Sequence, residues 1–280
     1  MKKIISMLLS LLFVASICVP AFAAEKYDTV TISLDNIEDI MPEPEGVDHV
    51  INLLNLQAQY LTYCNDVLVR SSNSGQTDSN AQTQTAAQKK LELGYISQKE
   101  YDDLVQSNND TTVSQQTQTN QRAADLLKLR HMLELDDADK LVIKSADYSE
   151  IDLSAKLSNV RYDKDLENLD LADLSAGDSS DTELTGKVES FKALYNTLMQ
   201  ADHAYELDSG NYETKKTQAQ LMQQKFANGY ATQKQVNDIN LELQTLGNTV
   251  AKEKNSLYIA YLRYDYMRDN GESPDSISLY

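Results

Sequence analysis

The chain has 280 residues, of which 41% are apolar and 24% charged, and an excess of Asp and Glu gives it a formal net charge of −18 at pH 7. That is enough apolar material for one or two packed domains. So acidic a surface repels phosphate backbones and anionic headgroups, which argues against a nucleic-acid partner and against peripheral membrane binding.

Lys2 and Lys3 precede an apolar run from Ile4 to Val19 that ends in Ala21-Phe22-Ala23. This order is the signature of a secretory signal peptide over residues 1–23. Cleavage after Ala23 is favoured over lipidation of Cys18, because Ile17 is large for the position before a lipidated cysteine. Removing the segment takes the net charge from −18 to −20 and leaves Cys64 without a second cysteine, so no intramolecular disulfide is expected. No later run approaches the roughly 20 apolar residues of a membrane-spanning helix. The mature chain is therefore expected to lack a transmembrane helix and to reside in the cell envelope or beyond it.

Residues 24–46 read as an extended lead-in, in which Val30, Ile32 and Leu34 alternate with polar neighbours. Between Pro44 and Pro274 there is no proline, while Ala, Leu, Gln, Glu and Lys are plentiful. A proline inside a helix costs about 3 kcal/mol, so this composition suits long unbroken helices.

Sliding the chain by 135 residues brings out an internal repeat: Ala58-x-Tyr60-x-Thr62 onto Ala193-x-Tyr195-x-Thr197, Ser74-Gly75 onto Ser209-Gly210, and Gly94-Tyr95-x-x-Gln98-Lys99 onto Gly229-Tyr230-x-x-Gln233-Lys234. Over positions 58–132 there are 15 identities without a gap. The flanks of each Gly-Tyr have helical periodicity: Val188, Phe191, Leu194 and Leu198 before the second one, and Val236, Ile239, Leu243, Leu246 and Val250 after it. Gly94 and Gly229 stand where a left-handed C-cap is needed, and Ser97 and Thr232 follow three residues later as N-caps. The pattern predicts an all-α fold of two tandem, long antiparallel helical hairpins related by duplication, over residues 47–135 and 187–269, with no β-barrel. An acidic linker with short helical or extended pieces is expected over 136–186, and a loose tail over 270–280.

The stretch Ser71–Gln88 has no apolar residue larger than alanine, and on the return arm Gln106–Arg122 offers only Val113. Two alternatives follow: the arms line a solvated space, or Ser71–Gln84 is a flexible break. The matched Ser-Gly pairs favour a structured kink.

The residues give no catalytic centre. Gly186-Lys187 is followed by Val188 where a phosphate loop needs Ser or Thr, and no Gly-x-Ser-x-Gly elbow occurs. His49, His131 and His203 lack partners at metal-ligand spacing, and the linker aspartates, including Asp170, Asp173, Asp178 and Asp181, lack the order of a calcium loop. Neither an enzyme nor a metal or cofactor is expected. Tyr258, Tyr261, Tyr264 and Tyr266 fall at helical spacing and read as core or interface residues.

What remains is the pair of hairpin tips: Gly94, Tyr95, Ile96, Ser97, Gln98 and Lys99, and Gly229, Tyr230, Ala231, Thr232, Gln233 and Lys234. They are either a docking surface, or a turn whose left-handed cap needs a glycine with a ring folded over it. At these residues the chain resembles the TolC-like outer-membrane efflux proteins, whose two helical hairpins each carry a tip of the form aromatic-x-x-Gly-x-x-Ser/Thr. Phe226-Ala227-Asn228-Gly229-Tyr230-Ala231-Thr232 matches that form, and Leu91-Glu92-Leu93-Gly94-Tyr95-Ile96-Ser97 matches with Leu91 in place of the aromatic. The lead-in Ile32–Ile40 is similar to the family's opening segment. The resemblance implies a trimer whose tips meet a membrane-fusion adaptor of an efflux or type I secretion system. It departs from the family where barrel strands would stand, since 136–186 offers only Leu141–Ile143 and Ile151–Leu153. The other expectation is an exported coiled-coil scaffold or spacer without a transport role.

Overall fold

The computed structural model describes residues 29–42, 49–136, 139–169 and 181–274. The expected signal peptide, the linker residues Asp170, Asp173 and Asp178, and the end of the tail lie outside these residues. The elements run β1 (Thr29–Ile32), α1 (His49–Glu92), α2 (Gln98–Met132), β2 (Lys140–Ile143), α3 (Leu153–Ser158), α4 (Tyr162–Asn168), α5 (Asp181–Ala227) and α6 (Gln233–Asn270). The fold is all-α, and among the described residues β1 and β2 are the strands.

The four long helices form two hairpins. α1 packs against α2 and α6, and α6 packs against α1 and α5, so the order across the molecule is α2–α1–α6–α5. α1 and α6 run antiparallel. Asn65 meets Asn255, Ser72 meets Asn248, and the backbone of Gly75 passes Leu241. Both tips therefore point to the same end of the array.

The core lies at the opposite end. Tyr60, Leu61 and Cys64 of α1, Leu129 of α2, Phe191 and Leu198 of α5, and Leu257, Tyr261, Tyr264 and Met267 of α6 are buried together. Tilted rings meet across it, Tyr162 with Tyr195 at 4.7 Å and Phe191 with Tyr264 at 4.9 Å between centroids. The four tyrosines of α6, Tyr258, Tyr261, Tyr264 and Tyr266, are all buried.

The lead-in and the segment between the hairpins close this end. β1 pairs in parallel with β2, Val30 opposite Leu141 and Ile32 opposite Ile143, and Leu34, Ile37 and Met41 behind it are buried. The segment expected as a linker also does more than connect. Leu153 and Leu169 enter the core, Asp165 accepts from the Tyr264 hydroxyl at 2.7 Å, and α5 already begins at Asp181. Its acidic composition hides this role, because the few apolar residues that matter are not periodic.

α1 continues without interruption through Ser71–Gln84. Thr77, Thr83 and Thr85 donate to carbonyls one turn back, which keeps their hydroxyls from competing with the helix. Amides bridge the two arms: Gln115 donates to the Asn73 carbonyl at 2.8 Å and Asn108 to Gln84 Oε1 at 2.8 Å, with further pairs Asn73–Gln118 and Gln115–Thr77. A polar cavity of about 290 Å³ between Asp66, Arg70, Gln115, Gln118 and Arg122 marks the solvated space.

The two glycines that match in the repeat differ in surroundings. A methyl group at Gly75 would meet Leu241 Cδ1 at 2.6 Å, whereas one at Gly210 would meet nothing within 4 Å. Glycine within a helix costs about 0.5–1 kcal/mol relative to alanine. Gly210→Ala should therefore raise stability by about that amount in urea unfolding, and Gly75→Ala should gain less, because Leu241 has to move.

Candidate functional site at the hairpin tips

Each tip is a short closed circuit of hydrogen bonds. In the first, α1 ends in a Schellman cap: Tyr95 N–H donates to the Lys90 carbonyl at 2.7 Å and Gly94 N–H to Leu91 at 2.9 Å. In the second, Tyr230 N–H donates to Lys225 at 2.7 Å and Gly229 N–H to Phe226 at 3.0 Å. Gly94 and Gly229 have φ of 73° and 77°, the left-handed conformation that a side chain resists.

The return helices open on capping boxes. The Ser97 hydroxyl accepts from Glu100 N–H while the Glu100 carboxylate accepts from Ser97 N–H at 2.7 Å. Those bonds from Ser97 hold the Glu100 carboxyl below its usual range. Thr232 and Gln235 repeat the arrangement. One turn on, Gln98 donates to Asp102 and Lys99 pairs with Asp103, as Gln233 donates to Asn237 and Lys234 pairs with Asp238. These exposed pairs contribute little stability.

Thus Gly94, Gly229, Ser97, Thr232, Gln98 and Gln233 are accounted for by turn geometry. The tyrosines are not. Tyr95 is 76% exposed and Tyr230 84%, with Leu93 also exposed beside Tyr95. Neither ring is folded over its glycine as a buried contact, which leaves an aromatic side chain standing in water at each tip. Between the hairpins near this end, Ala86, Ile96, Leu104 and Leu241 border a groove of about 800 Å³.

Sequence reasoning missed a cluster farther up the first hairpin. Asp66 of α1 lies beside Asp125 of α2, whose carboxylate accepts from Gln59 at 2.9 Å and Gln121 at 3.0 Å. Asp66 Oδ2 is buried without a hydrogen-bond partner among the described residues. Burial, then the hydrogen bond and charge of Asp125, push Asp66 up to about 6, against the pull of Arg122 and Lys252. Burial also acts to raise Asp125, but its bonds from Gln121 and Gln59 outweigh it and hold that group low. No sequence spacing marks this pair, because it forms across two arms. Among the described residues no group of three His, Cys, Asp or Glu side chains is placed to hold a metal, and no helix is long and apolar enough to cross a membrane.

Gly94→Ala and Gly229→Ala should each destabilise by about 1–2 kcal/mol through the left-handed cap, whereas Tyr95→Ala and Tyr230→Ala should stay within about 0.5 kcal/mol in thermal unfolding. A tyrosine substitution costing as much as the glycine would make the ring part of the fold. Asp66 binds its proton more tightly folded than unfolded, so its contribution is largest below pH 3.8 and is lost as pH rises through about 6. Asp66→Asn, which keeps a donor toward Asp125, should be more stable than the parent above pH 6 and lose that advantage near pH 4 in unfolding curves across pH. Comparisons with protein-family models, with curated proteins and with solved structures find no match to this chain.

Proposed function

We propose that the chain is a helical subunit of a cell-envelope efflux or type I secretion assembly of the TolC-like kind. In this reading it docks an adaptor protein through the tips of its two hairpins and associates with copies of itself. The observation that carries it is the pairing of two tips of the same construction at one end of an open array, each with an exposed tyrosine that the turn does not use.

A feature of the outer helices supports the self-association. Val113 and Leu127 on α2, and Leu207 and Leu221 on α5, are exposed, and each pair is about four helical turns apart. Counted at 1.5 Å per residue from the tip ends of the two helices, Ala227 and Gln98, they stand at about 9 Å (Leu221), 23 Å (Val113), 30 Å (Leu207) and 44 Å (Leu127). α2 of one copy laid antiparallel to α5 of the next would alternate side chains from the two helices along the seam and continue the alternation of helix directions. Such a heterologous contact builds a closed ring when the rotation from copy to copy closes. The resemblance in the tip motif supplies the number three and the adaptor.

Sedimentation and native mass spectrometry of the purified protein should show a trimer. Leu127→Asp with Leu207→Asp should weaken association at least tenfold while circular dichroism stays helical. A photocrosslinking residue at Tyr230 in the host cell should capture a membrane-fusion adaptor, and Gly229 or Tyr230 substitutions should abolish it. A monomer or dimer whose tips crosslink to nothing would overturn the reading in favour of an exported coiled-coil spacer.

A further inference from the structure

Where the core gives way to the polar arms, α1, α6 and the segment Ile143–Tyr148 enclose a cavity of about 420 Å³. That is within the range of small-molecule sites, roughly 300–1,000 Å³. Its walls are mainly apolar: Tyr63, Val67 and Leu68 from α1, Ile143 and Ala146 after β2, and Ala251 from α6. Most polar groups around it are engaged within the protein. The Tyr60 hydroxyl donates to the Lys144 carbonyl at 3.0 Å, Cys64 Sγ donates to the same oxygen at 3.7 Å, and Asn255 joins Tyr148 to Asn65 at 2.9 and 2.7 Å.

Lys144, Ser145 and Asp147 also line it but are exposed, with Asp147 accepting from Ser149 N–H, so Lys254 is the half-buried charge on the cavity. Its ammonium is held over the Tyr148 ring, 4.4 Å from the centroid, and the side chain is half-buried. Among the described residues no carboxylate lies within 4.0 Å of it, in a chain with 43 Asp and Glu against 25 Lys and Arg. A half-buried cation left on an aromatic face keeps one hemisphere open to an anion. On its far side it borders a second cavity with Asp202 and Glu206, whose negative field disfavours a ligand of more than one charge.

We propose that this cavity binds a small monoanionic amphiphile, a carboxylate with a single apolar chain, the chain lying against Val67, Leu68 and Ile143 and the carboxylate on Lys254. The site is complete within one protomer, so it goes beyond the assembly role and stands or falls separately from it.

Calorimetric titration of the purified protein with decanoate at pH 8, below its micellar concentration, should give saturable binding at one per chain. Lys254→Gln should weaken it at least tenfold, Lys254→Arg should restore it, and Val67→Trp, which fills the cavity, should remove it, each variant retaining its helical circular dichroism. Decyltrimethylammonium, with the same chain and the opposite charge, should not bind. Absence of saturable decanoate binding overturns the site. Equal binding of decanol, or undiminished binding by Lys254→Gln, overturns the assignment of the anion to Lys254.

Discussion

Four helices of 35 to 47 residues share an apolar core concentrated at one end, and the rest of the molecule depends on that asymmetry. Long amphipathic rods are not stable separately, since helix stability in water comes mostly from burying a face. Here the burial is concentrated in large side chains, Tyr60, Tyr264, Phe191, Leu257 and Met267, each fully buried. Aromatic residues bury about 150–250 Å² apiece, so a few of them anchor a great length of helix.

Burying tyrosine requires a partner for its hydroxyl. The short segments between the hairpins provide it: Asp165 of α4 accepts from Tyr264, the Lys144 carbonyl accepts from Tyr60, and Tyr148 donates to Asn255. Desolvation raises the pKa of Tyr60, Tyr148 and Tyr264, so they remain neutral donors. Packing and polar satisfaction thus join the two hairpins through residues that belong to neither, and the parallel pairing of β1 with β2 ties the lead-in to the same place.

Away from the anchor the contacts change in kind. Amide bridges and the close passage of Gly75 by Leu241 hold the arms, and beyond them the tips are stabilised by their own caps. A tip closed by local hydrogen bonds needs no support from the core, which leaves Tyr95 and Tyr230 available for contact. The acidic surface has the same division. Its carboxylates are mostly solvated, while Asp66 and Lys254 are drawn into half-buried positions at the junction between apolar core and polar arms.

The amino-acid order determined what is local. The proline-free composition, the apolar spacing and the glycines at 94 and 229 with Ser97 and Thr232 behind them are enough for two long hairpins with sharp turns, because helix propensity, left-handed caps and N-caps act over a few residues. The turn residues were legible for the same reason. Tertiary structure decided the rest: that Ser71–Gln84 stays helical, that Leu153, Asp165 and Leu169 belong to the core, that Gly75 and Gly210 are not alike, and that Asp66 meets Asp125 and Lys254 faces a cavity. Each of these depends on which side chain of a distant segment arrives opposite. Such juxtapositions are set by packing between segments more than 20 residues apart in the chain, where periodicity carries no information.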